Sequence, residues 1–530
     1  MFFNSRRSGV MARNGMVATS QPLAAMAGLR MLMAGGNAVD AAVATAAALN
    51  VAEPMSTGVG GDAFSLIWMA NEKRVHAMNA SGRAPAAASI EELKKKGIDQ
   101  IARDSIYAVS VPGAVHGWEL VLKRFGTMPF SEVLKPAIQY AREGYPVSDV
   151  ISHQWQKGMA KLSRHEGGKQ MMLNGRAPRM GEIMQLPNLA DTLQAIADGG
   201  ADAYYKGPIA AKIASFIQQM GGWMTEQDLA ADEATWDEAI SVDYRGTRVW
   251  ECPPNGQGIA ALMALNIAEG FDIKGMGFQT VDTYHHLIES MRLAFADADR
   301  YVADPRKAYV PIPGLLDKEY AAKRRALISS DAAMPRAVFG NPANSDTVYL
   351  TCVDGKGNAC SFINSLFEGF GVGLVVPDTG IALQNRASLF SLDPQHPNAL
   401  APGKRPYQTI IPAMATRDGE MWLSFGVMGG FQQPQGHLQV IVNMVDFGLH
   451  PQAALDALRF SVRGANDVAV EEGLSEAVVD GLKRKGHKIS VVGGYDRTMF
   501  GGGQVIMRDP ETGTLWAGSE PRKDGCAVGW

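Results

Sequence analysis

The chain has 530 residues, 46 % of them hydrophobic, enough for one very large core or for two or three domains. Its 50 basic and 54 acidic residues leave a net charge of −4 and are dispersed along the sequence. That excludes a polybasic footprint for nucleic acid or anionic lipid. The four cysteines, Cys252, Cys352, Cys360 and Cys526, show no metal-ligand or C-x-x-C spacing, so no metal or cofactor is expected. Cys352 and Cys360 lie on apolar segments and read as buried free thiols.

No long apolar run follows the charges of residues 1–9. The apolar stretch 41–52 is broken by Asn50 and falls short of the roughly 20 residues a membrane span takes. No membrane partner is expected, and a cytoplasmic location is. The stripe Leu23, Met26, Leu29 and Met33 predicts an amphipathic helix over 21–33, closed by Gly35-Gly36. Asn37 is placed to cap a second helix, 38–49, whose Ala-rich composition predicts tight burial. Gly58-Val59-Gly60-Gly61-Asp62 has the glycines of a phosphate loop. No Lys-Ser/Thr follows, however, and Asp62 puts negative charge where phosphate would lie, so nucleotide binding is rejected.

Residues 63–69 read as a buried strand and 75–80 as its hairpin partner. Charges such as Glu92 with Lys94-Lys95-Lys96 read as solvated faces. From 115 to 222 the periodicity is mostly helical, with breaks at Pro129, Pro146, Pro178 and Pro187. Strands return at 239–242 and 248–250, and the turn Pro253-Pro254-Asn255-Gly256-Gln257-Gly258 opens another helix. A long helix over 281–302 is stopped by Asp304-Pro305. Residues 333–345 have the turn-rich composition of an exposed or mobile linker, and it runs into Asp346-Thr347.

Beyond Thr347, apolar and polar residues alternate imperfectly through Val348, Leu350 and Cys352, which predicts a half-buried strand beginning at the threonine. Short strands dominate to 427. Helices follow at 436–445, 451–458 and near 475–486, with closing strands at 488–492 and 504–508. Periodicity alone supports no more than a mixed α and β fold.

A lone threonine at a strand start is ordinarily a packing residue, because its hydroxyl is a poor nucleophile without a base beside it. Its surroundings change that reading. Downstream come Asp354-Gly355-Lys356-Gly357-Asn358, Phe370-Gly371-Val372-Gly373, Thr379-Gly380-Ile381, Lys404-Arg405-Pro406 with Pro412, Gly429-Gly430, Asp446-Phe447-Gly448-Leu449 and Arg459-Phe460. Upstream are Gly35-Gly36-Asn37-Ala38-Val39-Asp40-Ala41-Ala42, Gly58 to Asp62, Val111-Pro112-Gly113 and Arg300-Tyr301-Val302-Ala303-Asp304-Pro305. In this order and spacing the chain resembles the γ-glutamyltransferase family of N-terminal-nucleophile hydrolases, which cut themselves immediately before a threonine. The resemblance implies an α+β fold, the four-layer αββα sandwich. It also implies self-cleavage between Asp346 and Thr347. Segments 1–346 and 347–530 would then share one core as an α/β heterodimer, alone or as a dimer of heterodimers.

In such a protein the freed α-amine of Thr347, with a reference pKa of ~7.7–8.0, serves as the base for its own hydroxyl. Gly429-Gly430 match the family's oxyanion-hole glycines, with an ordinary strand-to-helix turn as the alternative. Ser365 corresponds to a hydroxyl supporting the nucleophile, and Asn385 to a recurrent asparagine that reads as structural.

The departures bear on substrate. Where the family commonly reads Thr-Thr-His, this chain has Thr347-Val348-Tyr349. Leu389 stands where an aspartate binds the substrate ammonium, Phe367 where an asparagine helps, and Gln408-Thr409 replace a serine pair. Ser81 aligns with a carboxylate-binding arginine, with Arg83 two residues on. Arg386, at a position commonly neutral, either offers a bidentate fork to a carboxylate or faces solvent.

The expected function is an amidohydrolase or acyltransferase acting on a small-molecule amide. Its acyl group carries a carboxylate and lacks an α-amine, as in oxamate or a glutaryl amide. Arg386, Gln408, Thr409 and Arg83 are the candidate substrate-binding residues, with Thr347, Gly429 and Gly430 catalytic. The competing readings are a glutathione hydrolase or γ-glutamyl transferase and, from another class, a non-catalytic binding protein on the same fold.

Overall fold

The computed structural model describes residues 7–335 and 347–530. Two seven-stranded sheets, with every strand pair antiparallel, form the centre. One runs Cys526–Gly529, Gly15–Thr19, Val348–Asp354, Ala359–Ser365, Asp62–Met69, Arg74–Ala80, Thr235–Asp237. The other runs Val10–Ala12, Leu515–Ser519, Gly502–Arg508, Glu420–Met428, Ala413–Arg417, Thr247–Glu251, Ile240–Tyr244. Each sheet takes strands from both sides of Thr347.

The buried side chains separate into layers, as the period-2 geometry of a strand demands. Along Val348–Asp354, the side chains of Val348, Leu350 and Cys352 join a core shared with helices Pro22–Met33, Ala38–Ala52, Phe130–Glu143 and Pro187–Tyr205. Tyr349 and Val353 point the other way, into a core with Met414, Met428 and Ile506 of the facing sheet. The second sheet's outer face is covered by Gly258–Ala268, Val281–Tyr301 and Gln432–Val445. The result is the αββα sandwich expected from the resemblance. Tyr349 fits between the sheets because its neighbour across the gap is Gly426, where an added Cβ would come within 2.5 Å of the tyrosine ring.

Several expectations need correcting. The strand after Thr347 is buried on both faces, not half-buried, because polar Thr351 points into the inter-sheet layer and meets Ser424 Oγ at 2.6 Å. Lys488–Val492 belongs to neither large sheet; it pairs in parallel with Asp467–Glu471 in a separate three-stranded sheet. The helix expected from 436 starts at Gln432. Between 366 and 412 the chain is mostly irregular, with two short strands, Val375–Val376 and Ile381–Ala382. Of the expected linker, residues 336–345 lie outside the described residues, as does Asp346. Its first residues are pinned: Ala333 N–H donates to the Lys485 carbonyl (2.6 Å) and Met334 N–H to Glu289 Oε2 (2.8 Å). The four cysteines are free thiols.

The Gly35–Ala42 motif has a structural explanation. Helix Ala38–Ala52 is buried at every position and opens with a capping box: Asn37 Oδ1 accepts from the N–H groups of Val39 and Asp40, and Asp40 accepts from Asn37 N–H. Asp40 also accepts from Thr127 N–H (2.9 Å), Thr127 Oγ1 (2.6 Å) and Met128 N–H (3.1 Å), tying the helix start to the turn before helix Phe130–Glu143. Asp40→Ala leaves those donors without their acceptor. It should cost roughly 2–4 kcal/mol, read as a lower thermal unfolding midpoint, with Asp40→Asn losing less.

Candidate active site

The turn Asp354 to Asn358 sets the geometry. Asp354 Oδ1 accepts from Lys356 N–H (2.9 Å) and Asn358 N–H (3.0 Å), and Gly357 takes the left-handed conformation the turn requires (φ 82°). This fixes the register of the hairpin, Val353 opposite Ala359 through Val348 opposite Asn364. One step further, Thr347 faces Ser365, with Oγ1 and Oγ 3.0 Å apart. The other neighbour of Ser365 is Asp62, its register partner on the next strand. Thr347 is 1 % exposed and Ser365 fully buried.

Ser365 Oγ is a junction. It accepts from Phe367 N–H (2.8 Å) and from Arg386 Nη2 (3.1 Å) while facing Thr347. Arg386 faces inward: it is fully buried, donates from Nη1 to Thr409 Oγ1, and has its Cζ 4.4 Å from the Phe367 ring centroid. Among the described residues its Nε has no acceptor. Burial lowers its pKa to about 9, still cationic at neutral pH, with Asp62 opposing the fall.

Asp62 is the compensating charge. Burial raises its pKa to about 6, against the pull of Arg386. Its oxygens accept from Gly82 N–H (2.9 Å), Gln384 Nε2 (2.9 Å) and Gln408 Nε2 (2.8 Å). Gln408 therefore meets Arg386 through a shared acid, and Thr409 meets it directly. Gln257 Nε2 donates to the carbonyls of both Thr409 (2.7 Å) and Gly430 (2.8 Å), joining this cluster to the glycine pair.

Gly429 and Gly430 lie between strand Glu420–Met428 and helix Gln432–Val445, with φ of 124° and 59°. Only glycine takes the first of these without strain. A Cβ on Gly429 would also come within 3.2 Å of Gly501 Cα. Their carbonyls start the helix, accepting from Gln432 and Gln433 N–H, whereas neither amide N–H has an acceptor among the described residues. Two adjacent uncommitted N–H groups form a site for an oxyanion.

Other candidates are placed differently. Arg83 is tied to Asp232 (2.9 Å) and the Glu233 carbonyl (3.2 Å) and makes no hydrogen bond to the Thr347 cluster. Ser81 donates from both N and Oγ to Asn79 Oδ1. Asn385 is structural as read, bonded to Glu368 and the Arg103 carbonyl. Phe367 holds its ring beside Arg386 and adopts φ 78°, a strained conformation for a bulky residue. Leu389 is partly buried and contributes no charge. Among the described residues no His, Cys, Asp or Glu cluster could hold a metal ion. Sequence reasoning missed Gln257, read only as part of a turn, and the structural part of Asp62, read only as an obstacle to phosphate.

The model of the family described as "Gamma-glutamyltranspeptidase" matches residues 24–530. The glutathione hydrolase-like YwrD proenzyme of Bacillus subtilis (strain 168) is 39 % identical over 528 residues, 98 % of this chain and 99 % of that protein. The acylase ACY 1 proenzyme of Pseudomonas sp. (strain SE83) is 35 % identical, over 99 % of this chain and 95 % of that one. The crystal structure of a cephalosporin acylase from Bacillus halodurans superposes with a TM-score of 0.94 at 48 % identity, covering 100 % of this chain and 98 % of that one. The chain belongs to the γ-glutamyltranspeptidase family and is an amidohydrolase of the N-terminal-nucleophile type, made as a proenzyme.

Proposed function

We propose that Thr347 is the nucleophile, freed by cleavage of the Asp346–Thr347 bond, and that the substrate is an amide whose acyl group carries a carboxylate but no α-amine. The observation that carries this reading is the line Arg386–Ser365–Thr347, which puts a guanidinium one hydroxyl away from the reacting oxygen. Asp62 is engaged by three donors and by Arg386, and Leu389 and Phe367 cannot pair with an ammonium. An α-amine buried beside them unpaired would cost several kcal/mol. Arg386 spends its donors on hydroxyls, which a carboxylate can replace with a stronger, charge-assisted pair. The acylase names of two relatives fit release of an acyl group from an amide.

In the proenzyme, Thr347 Oγ1 attacks the Asp346 carbonyl carbon. The C–N bond breaks, the nitrogen takes the proton, and an ester links the two segments until water hydrolyses it. The new α-amine then accepts the hydroxyl proton as Oγ1 attacks the substrate carbonyl. The tetrahedral oxyanion is held by the N–H groups of Gly429 and Gly430, the amine leaves, and water releases the acyl group. Ser365, polarised by two incoming donors, is a strong hydrogen-bond donor to the developing Thr347 alkoxide. The interleaved sheets keep 1–346 and 347–530 together after the cut.

Three outcomes follow. Wild-type protein should run as two bands on a denaturing gel, with intact masses for 1–346 and 347–530. Thr347→Ala should stay one inactive chain, and Thr347→Ser should regain slow cleavage. A different cut site, or an active uncut chain, ends this assignment.

Gly430→Val should lower kcat by about 10²-fold or more, the effect of losing one oxyanion donor. Normal turnover by a matured variant would reduce the glycine pair to a turn.

Glutaryl or oxamyl amides should be turned over with higher kcat/KM than their γ-glutamyl counterparts. Because Arg386 touches both Ser365 and the proposed carboxylate site, Arg386→Ala should lower kcat as well as raise KM. Better turnover of γ-glutamyl amides would instead place the chain with the glutathione hydrolases.

A further inference from the structure

Arg386 is sealed from solvent. Arg103, just ahead of the short turn Ile106–Ala108, has 31 % of its side chain exposed. Its Cζ lies 5.0 Å from the centroid of the Phe367 ring, the same ring that Arg386 approaches at 4.4 Å. Two guanidiniums thus share one aromatic partner, one buried and one reaching solvent. Arg103 makes no hydrogen bond to Ser365 or Thr347; it connects to them across that ring.

The position of Arg103 is held by the residue next to Arg386. Asn385 Nδ2 donates to the Arg103 carbonyl (2.9 Å) and to Glu368 Oε2 (3.1 Å), and Asn385 Oδ1 accepts from Glu368 N–H (3.2 Å). Glu368 Oε1 in turn receives Arg103 Nη1 at 2.8 Å. One asparagine, the chain neighbour of Arg386, therefore ties Arg103 and Glu368 together in one frame. Among the described residues, Nη1 is the one guanidinium nitrogen of Arg103 with a hydrogen-bond acceptor. Of the five N–H donors of its fork, the other four stay available on a side chain that solvent reaches. Phe367 pays for its place in this frame with a left-handed backbone, a strain that persists where the surroundings over-determine a conformation.

We propose that Arg103 is a second carboxylate-binding residue of the substrate site. It reads the far end of a longer acyl group, with Glu368 as an internal competitor for its fork. This rests on the reading of Thr347 as nucleophile and of the substrate as a carboxylate-bearing amide. A carboxylate on Arg386, one hydroxyl from Thr347, belongs to a very short acyl group such as oxamyl. A carboxylate on Arg103, beyond the Phe367 ring, belongs to one several bonds longer, such as glutaryl.

The test is steady-state kinetics of matured enzyme on butyryl, oxamyl, glutaryl and γ-glutamyl p-nitroanilides. Arg103→Ala should raise KM for the glutaryl amide about tenfold or more, the size of a lost charge-assisted bond, with kcat within about twofold. The butyryl and oxamyl amides should be nearly unaffected. Glu368→Gln should move the glutaryl KM the opposite way, downward, because it frees the fork. Opposite signs distinguish a ligand site from a structural ion pair, whose loss from either side would do the same harm. Equal losses on butyryl and glutaryl amides, or a rise in glutaryl KM in both variants, overturns the proposal. If Arg103→Ala fails to mature, Arg103→Lys and Glu368→Gln carry the same comparison, the lysine giving a smaller rise on the glutaryl amide alone. A wild-type preference for the γ-glutamyl amide would defeat the substrate reading of the previous subsection. The glutaryl-to-butyryl ratio with and without Arg103 would still decide this one.

Discussion

A whole guanidinium buried one hydroxyl away from Thr347 is the constraint on which this site depends. Moving such an ion out of water costs on the order of 20 kcal/mol in the ideal limit and several in a real protein. Arg386 is tolerated because Asp62 balances its charge and two hydroxyls and an aromatic face meet its planar group. Each compensating group comes from a different part of the chain: Asp62 from a strand start, Ser365 from a strand end, Thr409 from an irregular stretch. The glycines ahead of Asp62 belong to the same requirement. Gly60 and Gly61 have no room for a Cβ against the backbone of Ala382 and Ser365, which lets the acid reach its place.

The other requirement of the chemistry is rigidity. Thr347 heads a strand paired on both sides, to Gly15–Thr19 and to Ala359–Ser365, with packed layers above and below. The Thr347 hydroxyl on such a base has little freedom left to lose, and Gly429 and Gly430 are likewise held by Gln257 and by the helix they start. Preorganisation of this kind contributes to catalysis because no dipoles must reorient at the moment of reaction.

Much of this was legible in the sequence, for identifiable reasons. Helices with a clean stripe or cap, such as Ala38–Ala52, fall where pattern and Asn37 place them. The start of Gln432–Val445 was hidden because Gln432, Gln433 and Gln435 look like surface residues. They are buried, bonding the backbones of Phe460, Ile411 and Val462. Strands Gly15–Thr19 and Cys526–Gly529 were missed because the strands that pair them are distant in sequence. Thr347, Ser365, Gly429 and Gly430 could be located only through the family pattern, since an isolated hydroxyl or glycine carries no periodic signal. The orientation of Arg386 was left open by the sequence, and the ring it shares with Arg103 depends on a loop no local pattern describes.

The interleaving of strands from both sides of Thr347 has a consequence for a chain cut at that residue, as proposed. As one chain, the protein closes its sheets by a unimolecular reaction. In a chain cut there, Gly15–Thr19 of one fragment needs Val348–Asp354 of the other, and Asp62–Met69 needs Ala359–Ser365. Refolding of the processed protein is then second order in fragments, slowed by dilution and exposed to aggregation of unpaired strands. With the proposed cleavage, the fold is reached once, before the cut, and afterwards endures through the height of its unfolding barrier, as kinetic stability.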